Sequence, residues 1–268
     1  MLVEHDIICE LDTNKLATVI ENFDSRYNDK IYKPIFKHTV PYAISYGCLF
    51  YDKNKVPAED VQSFNVFFNK KYEGRMTILD DIRETIGFSL MAKGYSMNSE
   101  SEKELLEAVE FAVKAKENIR KFDNESYKTE VANGSTHIAY GYSGDCLQVI
   151  LGEDEASARN DLAIAFPKEG FTVSCDELAI MKGSENIELA YAFINFIYET
   201  ENCKKNMEYI LAITPQIKAE DELDKKIRSM LVLDEQTLKR GQVTKSFNGK
   251  KDVLELYNRM WDKLKSIK

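Results

Sequence analysis

The chain has 268 residues, 44% apolar and 30% charged, enough to bury a sizeable core in one large domain or two smaller ones. Its 36 Lys and Arg stand against 45 Asp and Glu, a formal charge of −9, so its long-range field repels nucleic acid and attracts small polycations. No apolar run reaches the roughly 18 residues that a transmembrane helix needs, and Met1-Leu-Val-Glu-His-Asp lacks the basic start and apolar middle of a signal peptide.

Two periods alternate along the chain. The first strand-like run is Gly47-Cys-Leu-Phe-Tyr51, followed by Met76-Thr-Ile-Leu79. Directly after the second come Asp80 and Asp81, where a helix is predicted to begin, and Glu84 lies three residues beyond Asp81 on the same face. Two readings stand side by side. Asp81 and Glu84 are either a capping pair beside the positive end of a helix, or two carboxylates aimed at a cation past the end of the strand. Ser101 with Glu104 opens a helix whose apolar stripe is Leu105, Leu106, Val109, Ala112, Val113 and Ile119. The polar segment Asn118 to Asn133 is expected as a surface connection.

Further strands are predicted at His137-Ile-Ala-Tyr140, Asp161-Leu-Ala-Ile-Ala-Phe166 and Glu177-Leu-Ala-Ile-Met181. A helix runs from near Ser184 through Leu189, Ala190, Phe193, Ile194 and Ile197, and Thr200 is expected to cap the next. Ala219-Glu-Asp-Glu-Leu-Asp-Lys-Lys reads as a solvated helix face. Asp252 with Glu255 is expected to cap the last helix, whose stripe of Tyr257, Met260, Trp261 and Leu264 assigns Trp261 to packing. Alternating strands and helices define an α/β architecture.

Enzyme signatures are absent: there is no phosphate-binding glycine loop, no H-E-x-x-H and no G-x-S-x-G, Gly141-Tyr-Ser-Gly144 being one residue short. His5, His38 and His137 are isolated. Cys9, Cys48, Cys146, Cys175 and Cys203 are scattered, without zinc-ligand spacing or a disulfide framework. No metal, cofactor or catalytic residue is therefore expected, although a Ser/His/Asp set drawn from distant positions would match by chance.

Several short segments, in order over nearly the whole chain, carry a resemblance. They are Val40-Pro-Tyr42 followed by Gly47, Lys71-Tyr-Glu-Gly74, Asp80-Asp-Ile-Arg-Glu84, Gly94-Tyr95, Tyr142-Ser-Gly144, Pro167-Lys-Glu-Gly170 and Asp176-Glu-Leu-Ala-Ile180. Ala192-Phe-Ile-Asn-Phe196, Thr214-Pro215 and Lys263-Leu-Lys265 complete the series. The chain resembles the substrate-binding proteins of spermidine/putrescine ABC transporters, each segment being weak alone and their shared order specific.

The resemblance implies a type II periplasmic-binding-protein-like fold of two α/β lobes, with ligand trapped in the cleft between them. One lobe would hold residues 1–45 and 175–220, the other residues 46–174 and 221–268. It also implies that Met1 matches a point well inside the first lobe. That lobe would then be incomplete, lacking a secretion signal and roughly 80 to 100 residues, several βα units at typical lengths. The expected function is an extracytoplasmic or periplasmic polyamine-binding component of an importer, N-terminally truncated, monomeric, and partnered by membrane permease subunits.

Residue by residue, the family's polyamine-contacting acids fall on Asp81, Glu84 and Asp176, and an aromatic platform falls on Tyr142. The chemistry is reasonable in itself, because ammonium groups need charged acceptor oxygens and methylene spacers need flat apolar walls. Taken alone, Tyr142 reads equally as a half-buried strand-end aromatic, and Asp176 as a turn residue at a strand start. Three departures stand out. Ser174 lies where the polyamine binders place an aromatic, a polar contact within Gln242 to Asn248 does not align, and Asp154 to Asn160 looks like an insertion. Two alternatives follow, a same-fold binder of another small cationic ligand and, from a different class, a cytosolic enzyme with an unrecognised site.

Overall fold

The computed structural model describes residues 2–152, 156–247 and 249–267. Residues 154 and 155 of the expected insertion, and Asn248 of the unaligned segment, lie outside the described residues. The chain forms two compact units, a smaller one of Met1–Ser45 with Ser174–Leu238 and a larger one of Tyr46–Val173 with Lys239–Lys268.

In chain order the smaller unit contributes α1 (Ala17–Glu21) and the first half of β1 (Thr39–Asp52). The larger unit takes the rest of β1, then β2 (Met76–Ile78), α2 (Ile82–Ala92), α3 (Glu102–Lys116), β3 (Lys121–Phe122) and α4 (Tyr127–Ala132). It continues with β4 (Ile138–Tyr142), α5 (Ser143–Leu151), β5 (Leu162–Ala165) and the start of β6 (Phe171–Ala179). The end of β6 returns the chain to the smaller unit for α6 (Ile187–Tyr198), α7 (Thr200–Ile210), α8 (Ile217–Asp221) and α9 (Lys225–Leu231). Finally α10 (Glu235–Arg240) leads back to β7 (Gly241–Val243) and α11 (Lys251–Ser266) in the larger unit.

Strand pairing in the larger unit follows the apolar runs. β3, β2 and β4 run parallel, joined by helical connections of the kind parallel strands require. β1 lies antiparallel to β4, with Gly47 opposite Tyr142 and Tyr51 opposite Ile138, and pairs β5 from Leu49 to Asp52. Residues 46–52 are buried without alternation, as expected of a strand covered on both faces. β6 and β7 run parallel, so Thr172 pairs with Gln242.

The α2, α3 and α11 faces meet in a core of Ile86, Leu90, Leu105, Val109, Tyr257, Met260 and Leu264, with Trp261 packed at its edge against Phe122. Each fully buried aliphatic side chain there stabilises the fold by about 1.5–3 kcal/mol. The Trp261 stripe is thus packing, as its spacing predicts. In the smaller unit, Leu16, Val19, Val40, Ile180, Tyr191, Ile194 and Tyr198 form a second core. β1 and β6 are also hydrogen-bonded neighbours in the sheet order β3-β2-β4-β1-β6-β7, and isolated bridges join Ile8 with Met181, Phe23 with Gln216 and Ile44 with Ile213.

Four local expectations are corrected. Thr200 is the first helical residue of α7, not its cap, because its hydroxyl accepts from the Gln216 amide (3.2 Å) while Glu199 holds the cap position. Lys250 precedes α11, which places Asp252 inside the first turn, where its charge still suits the helix dipole. Asn118 to Asn133 is more than a connection: Asn118 is buried with its amide on the Phe67 carbonyl (2.9 Å), β3 follows, and Tyr127 is fully buried. The acidic cluster after Ala219 is not all solvated either. Glu220 is 1% exposed, held by Arg26 and by the Tyr27 hydroxyl (3.1 Å). Residues 221–238 group with the smaller unit, where Arg228 donates to the Glu220 carbonyl and Asp224 N–H to Glu208.

Candidate functional site

The turn from β2 into α2 is built around Asp81. Its Oδ1 accepts from the backbone N–H of Arg83 (2.8 Å) and of Glu84 (2.9 Å), which makes it the N-cap in the ordinary sense. Its Oδ2 has no donor among the described residues. Glu84, at the third helical position, does not close a reciprocal capping box. It turns inward and is 4% exposed. Its Oε2 accepts from the Thr172 hydroxyl (2.6 Å) on β6 and from the Tyr140 hydroxyl (3.0 Å) on β4.

The capping and site readings therefore separate. Asp81 caps the helix with one oxygen, and Glu84 is committed through one oxygen to strand hydroxyls rather than to the cap. Each carboxylate keeps a second oxygen without a protein donor, and among the described residues no Lys, Arg or His lies within ion-pair distance of either. Burial pushes the Glu84 carboxyl up to about 7, an effect moderated by the Thr172 and Tyr140 hydroxyls, reinforced by the Asp81 charge and opposed weakly by Arg83.

Arg83, between the two acids, goes elsewhere. Its guanidinium lies over Phe247 (4.1 Å) and Tyr257 (4.9 Å) and donates to Asn98 (2.7 Å), so it is anchored by aromatic stacking and not by ion pairing with Asp81 or Glu84.

Tyr142 ends β4, half-buried, and its backbone N–H donates to the Tyr127 hydroxyl (3.1 Å), which in turn donates to Asp145 (2.9 Å). Its own phenol is held well above the ordinary tyrosine range by burial first, then by the negative charges of Glu84, Asp81 and Asp145. Asp81, Glu84 and Tyr142 are thus brought together in the larger unit.

Asp176 belongs to the smaller unit. Strand alternation in β6 leaves it exposed, while its neighbour Glu177 turns in to accept from Thr39 and from the Tyr32 N–H (3.2 Å). Asp176 has no charged partner among the described residues. Ser174 is half-buried at the start of the same stretch. Gln242 does not project freely, because its side-chain oxygen accepts from the Met97 N–H (2.9 Å).

Tyr140, Thr172 and Gly47 escape sequence reasoning. Tyr140 carries a signal, since it stands two residues before Tyr142 and shares its strand face. Gly47 makes room for the hydroxyls: a Cβ at this position would come within 2.3 Å of both the Tyr140 and the Thr172 oxygen. Thr172 offers no local signal. Among the described residues no three His, Cys, Asp or Glu side chains gather to hold a metal, and no helix is long and apolar enough to cross a membrane.

A mixed α/β chain of two units, with carboxylates that lie beside an aromatic ring and have no ion-pair partner among the described residues, fits a solute-binding protein. Residues 8–229 match the family described as bacterial extracellular solute-binding protein, and the chain belongs to that family. These are binding proteins of ABC transporters, found in the periplasm or outside the cell, and not enzymes. Among relatives, a putrescine/cadaverine-binding protein of Pseudomonas aeruginosa is 28% identical, the match covering 98% of this chain and 76% of the relative. The spermidine/putrescine-binding periplasmic protein of Escherichia coli is 25% identical over 97% of this chain and 72% of its own length. Of solved structures, a putative spermidine/putrescine ABC transporter protein from Listeria monocytogenes superposes with a TM-score of 0.85 at 26% identity, covering 100% of this chain and 80% of that one. The spermidine/putrescine ABC transporter substrate-binding protein of Streptococcus pneumoniae gives 0.87 at 25% identity, covering 98% and 79%.

Proposed function

We propose that this protein binds a polyamine of the putrescine or spermidine class as the extracytoplasmic component of an ABC importer. Asp81 and Glu84 form the ammonium-accepting part of the larger unit, Tyr142 supplies an aromatic wall, and Asp176 of the smaller unit is a further acceptor. The observation that carries this reading is the pair of carboxylates, each with one oxygen committed to the fold and, among the described residues, the other without a donor and no basic side chain as partner. A cationic ligand supplies what the protein does not. The names of the relatives support a polyamine over other amines. The same reading has the protein act as a monomer, deliver its ligand to membrane permease subunits and take no nucleic acid, in keeping with its charge of −9.

Isothermal calorimetry with putrescine and with spermidine tests it. Binding is expected, weakened roughly ten- to hundredfold by Glu84→Gln or by Asp176→Asn, the loss of one charge-assisted contact. Unchanged affinity in both variants rejects the carboxylate site. Binding of another amine in place of either polyamine would move the assignment to a different cationic ligand.

A further inference from the structure

Glu84 is gripped along one edge only. Thr172 and Tyr140 both reach Oε2, their own oxygens lie 3.1 Å apart, and Oε1 receives no donor among the described residues. The grip is built from distant parts of the chain. Tyr140 is fully buried and held by Phe88 (ring centroids 5.0 Å apart) and Phe64 (5.9 Å). Thr172 is 1% exposed and fixed by its ladder to Gln242. Gly47, on β1, leaves the space both hydroxyls occupy. A fold that needed only to fill this volume could do so with Phe and Val; two hydroxyls converging on one carboxylate oxygen have a chemical consequence.

We propose that Tyr140 and Thr172 are positioning residues: they lock Glu84 in one rotamer with Oε1 presented to a single ligand ammonium, and by donating to Oε2 they keep a buried carboxylate ionisable at neutral pH. This rests on the reading of Glu84 as an ammonium acceptor. Without the two donors, burial and the nearby Asp81 charge act against ionisation, opposed only by the weak effect of Arg83. The neighbouring Tyr142 phenol is neutral at working pH and adds no further negative charge. The acid would then be neutral near pH 7 and would lose its attraction for a cation. With the donors in place, ammonium capture completes the ionisation and releases the proton that part of the unliganded population carries.

The test is a carboxyl carbon-13 NMR titration of Glu84 in the unliganded full chain, assigned with Glu84→Gln, followed by putrescine calorimetry at pH 7 and pH 8.5. Thr172→Val and Tyr140→Phe should each move the Glu84 midpoint upward, and should each weaken putrescine binding about tenfold at pH 7, with partial recovery at pH 8.5. Thr172→Ser, which keeps the hydroxyl, should titrate and bind as the parent does. Two removed hydroxyls can be read independently, so one unfolded variant does not decide the matter. A Glu84 midpoint unmoved in both Thr172→Val and Tyr140→Phe overturns the proposal. Failure of the parent chain to bind putrescine would instead count against the functional reading, leaving the titration to decide the roles of the two hydroxyls.

Discussion

The two units use similar amino acids to different effect. In the larger one, ladders of several residues join β1 to β4 and β5, and rings of Phe64, Phe67, Phe88, Phe111 and Tyr140 close on one another. In the smaller one, a core forms on one face of α6, while Leu189 (67% exposed), Phe193 (55%) and Phe196 (55%) on the other face remain open. Residues 189, 193 and 196 follow helical spacing, so the exposed set is a continuous apolar stripe and not scattered surface. The contrast teaches that an apolar period shows which helix faces are made for burial, whereas cover depends on what the rest of the chain provides.

The largest expected effect sharpens this contrast. Phe88→Ala removes a fully buried ring touching four others and should cost about 3–5 kcal/mol in urea unfolding. A cost below about 1 kcal/mol would show that the aromatic cluster is loosely packed.

Next comes the buried acid. A Glu84 carboxyl raised from 4.5 to about 7 stabilises the fold most when protonated, so its contribution is fully present below about pH 4.5 and is lost as pH rises through about 7. At about 1.4 kcal/mol per unit this is about 3 kcal/mol. Glu84→Gln, which carries no charge, should therefore unfold at higher urea than the parent at pH 8, with the difference vanishing near pH 4. Equal pH dependence of parent and variant would place the titration elsewhere.

Hydrogen exchange compares the units directly. Amides of residues 1–45 should exchange at least about tenfold faster than those of residues 76–115, because local opening follows the density of buried contacts and ladder hydrogen bonds. Equal protection would break the comparison. The smallest effect is expected at the stripe itself: Phe193→Ser should change unfolding free energy by no more than about 0.5 kcal/mol, as at other exposed positions. A loss approaching that of Phe88→Ala would mean that this ring is covered in solution.

Much of the architecture was legible along the chain. The Leu105 to Ala112 stripe and the Tyr257 to Leu264 stripe are core because three-to-four spacing puts those residues on one side of a helix. The β1 run from Gly47 to Tyr51 is a strand because it is short, apolar and β-branched or aromatic. Asp81 as a helix cap follows from its place between a strand and an apolar helical pattern. The local misreadings at Thr200 and Asp252 are errors of a residue or two at helix ends, where the competing partner, Gln216 in one case, lies elsewhere in the chain.

By itself the sequence determined the periods, the acidic character, the turn that carries Asp81 and Glu84, and the ordered segments that place the chain in its family. Only the tertiary structure decided what those acids do locally. Glu84 meets Tyr140 across 56 positions and Thr172 across 88, and Glu220 is buried by Arg26 from 194 positions away. Asp176 stays open while Glu177 is tied down, although the two are adjacent. The physical reason is that period and propensity act over a few residues, while the burial and charge of an acid depend on which hydroxyls, rings and cations the strand register brings against it.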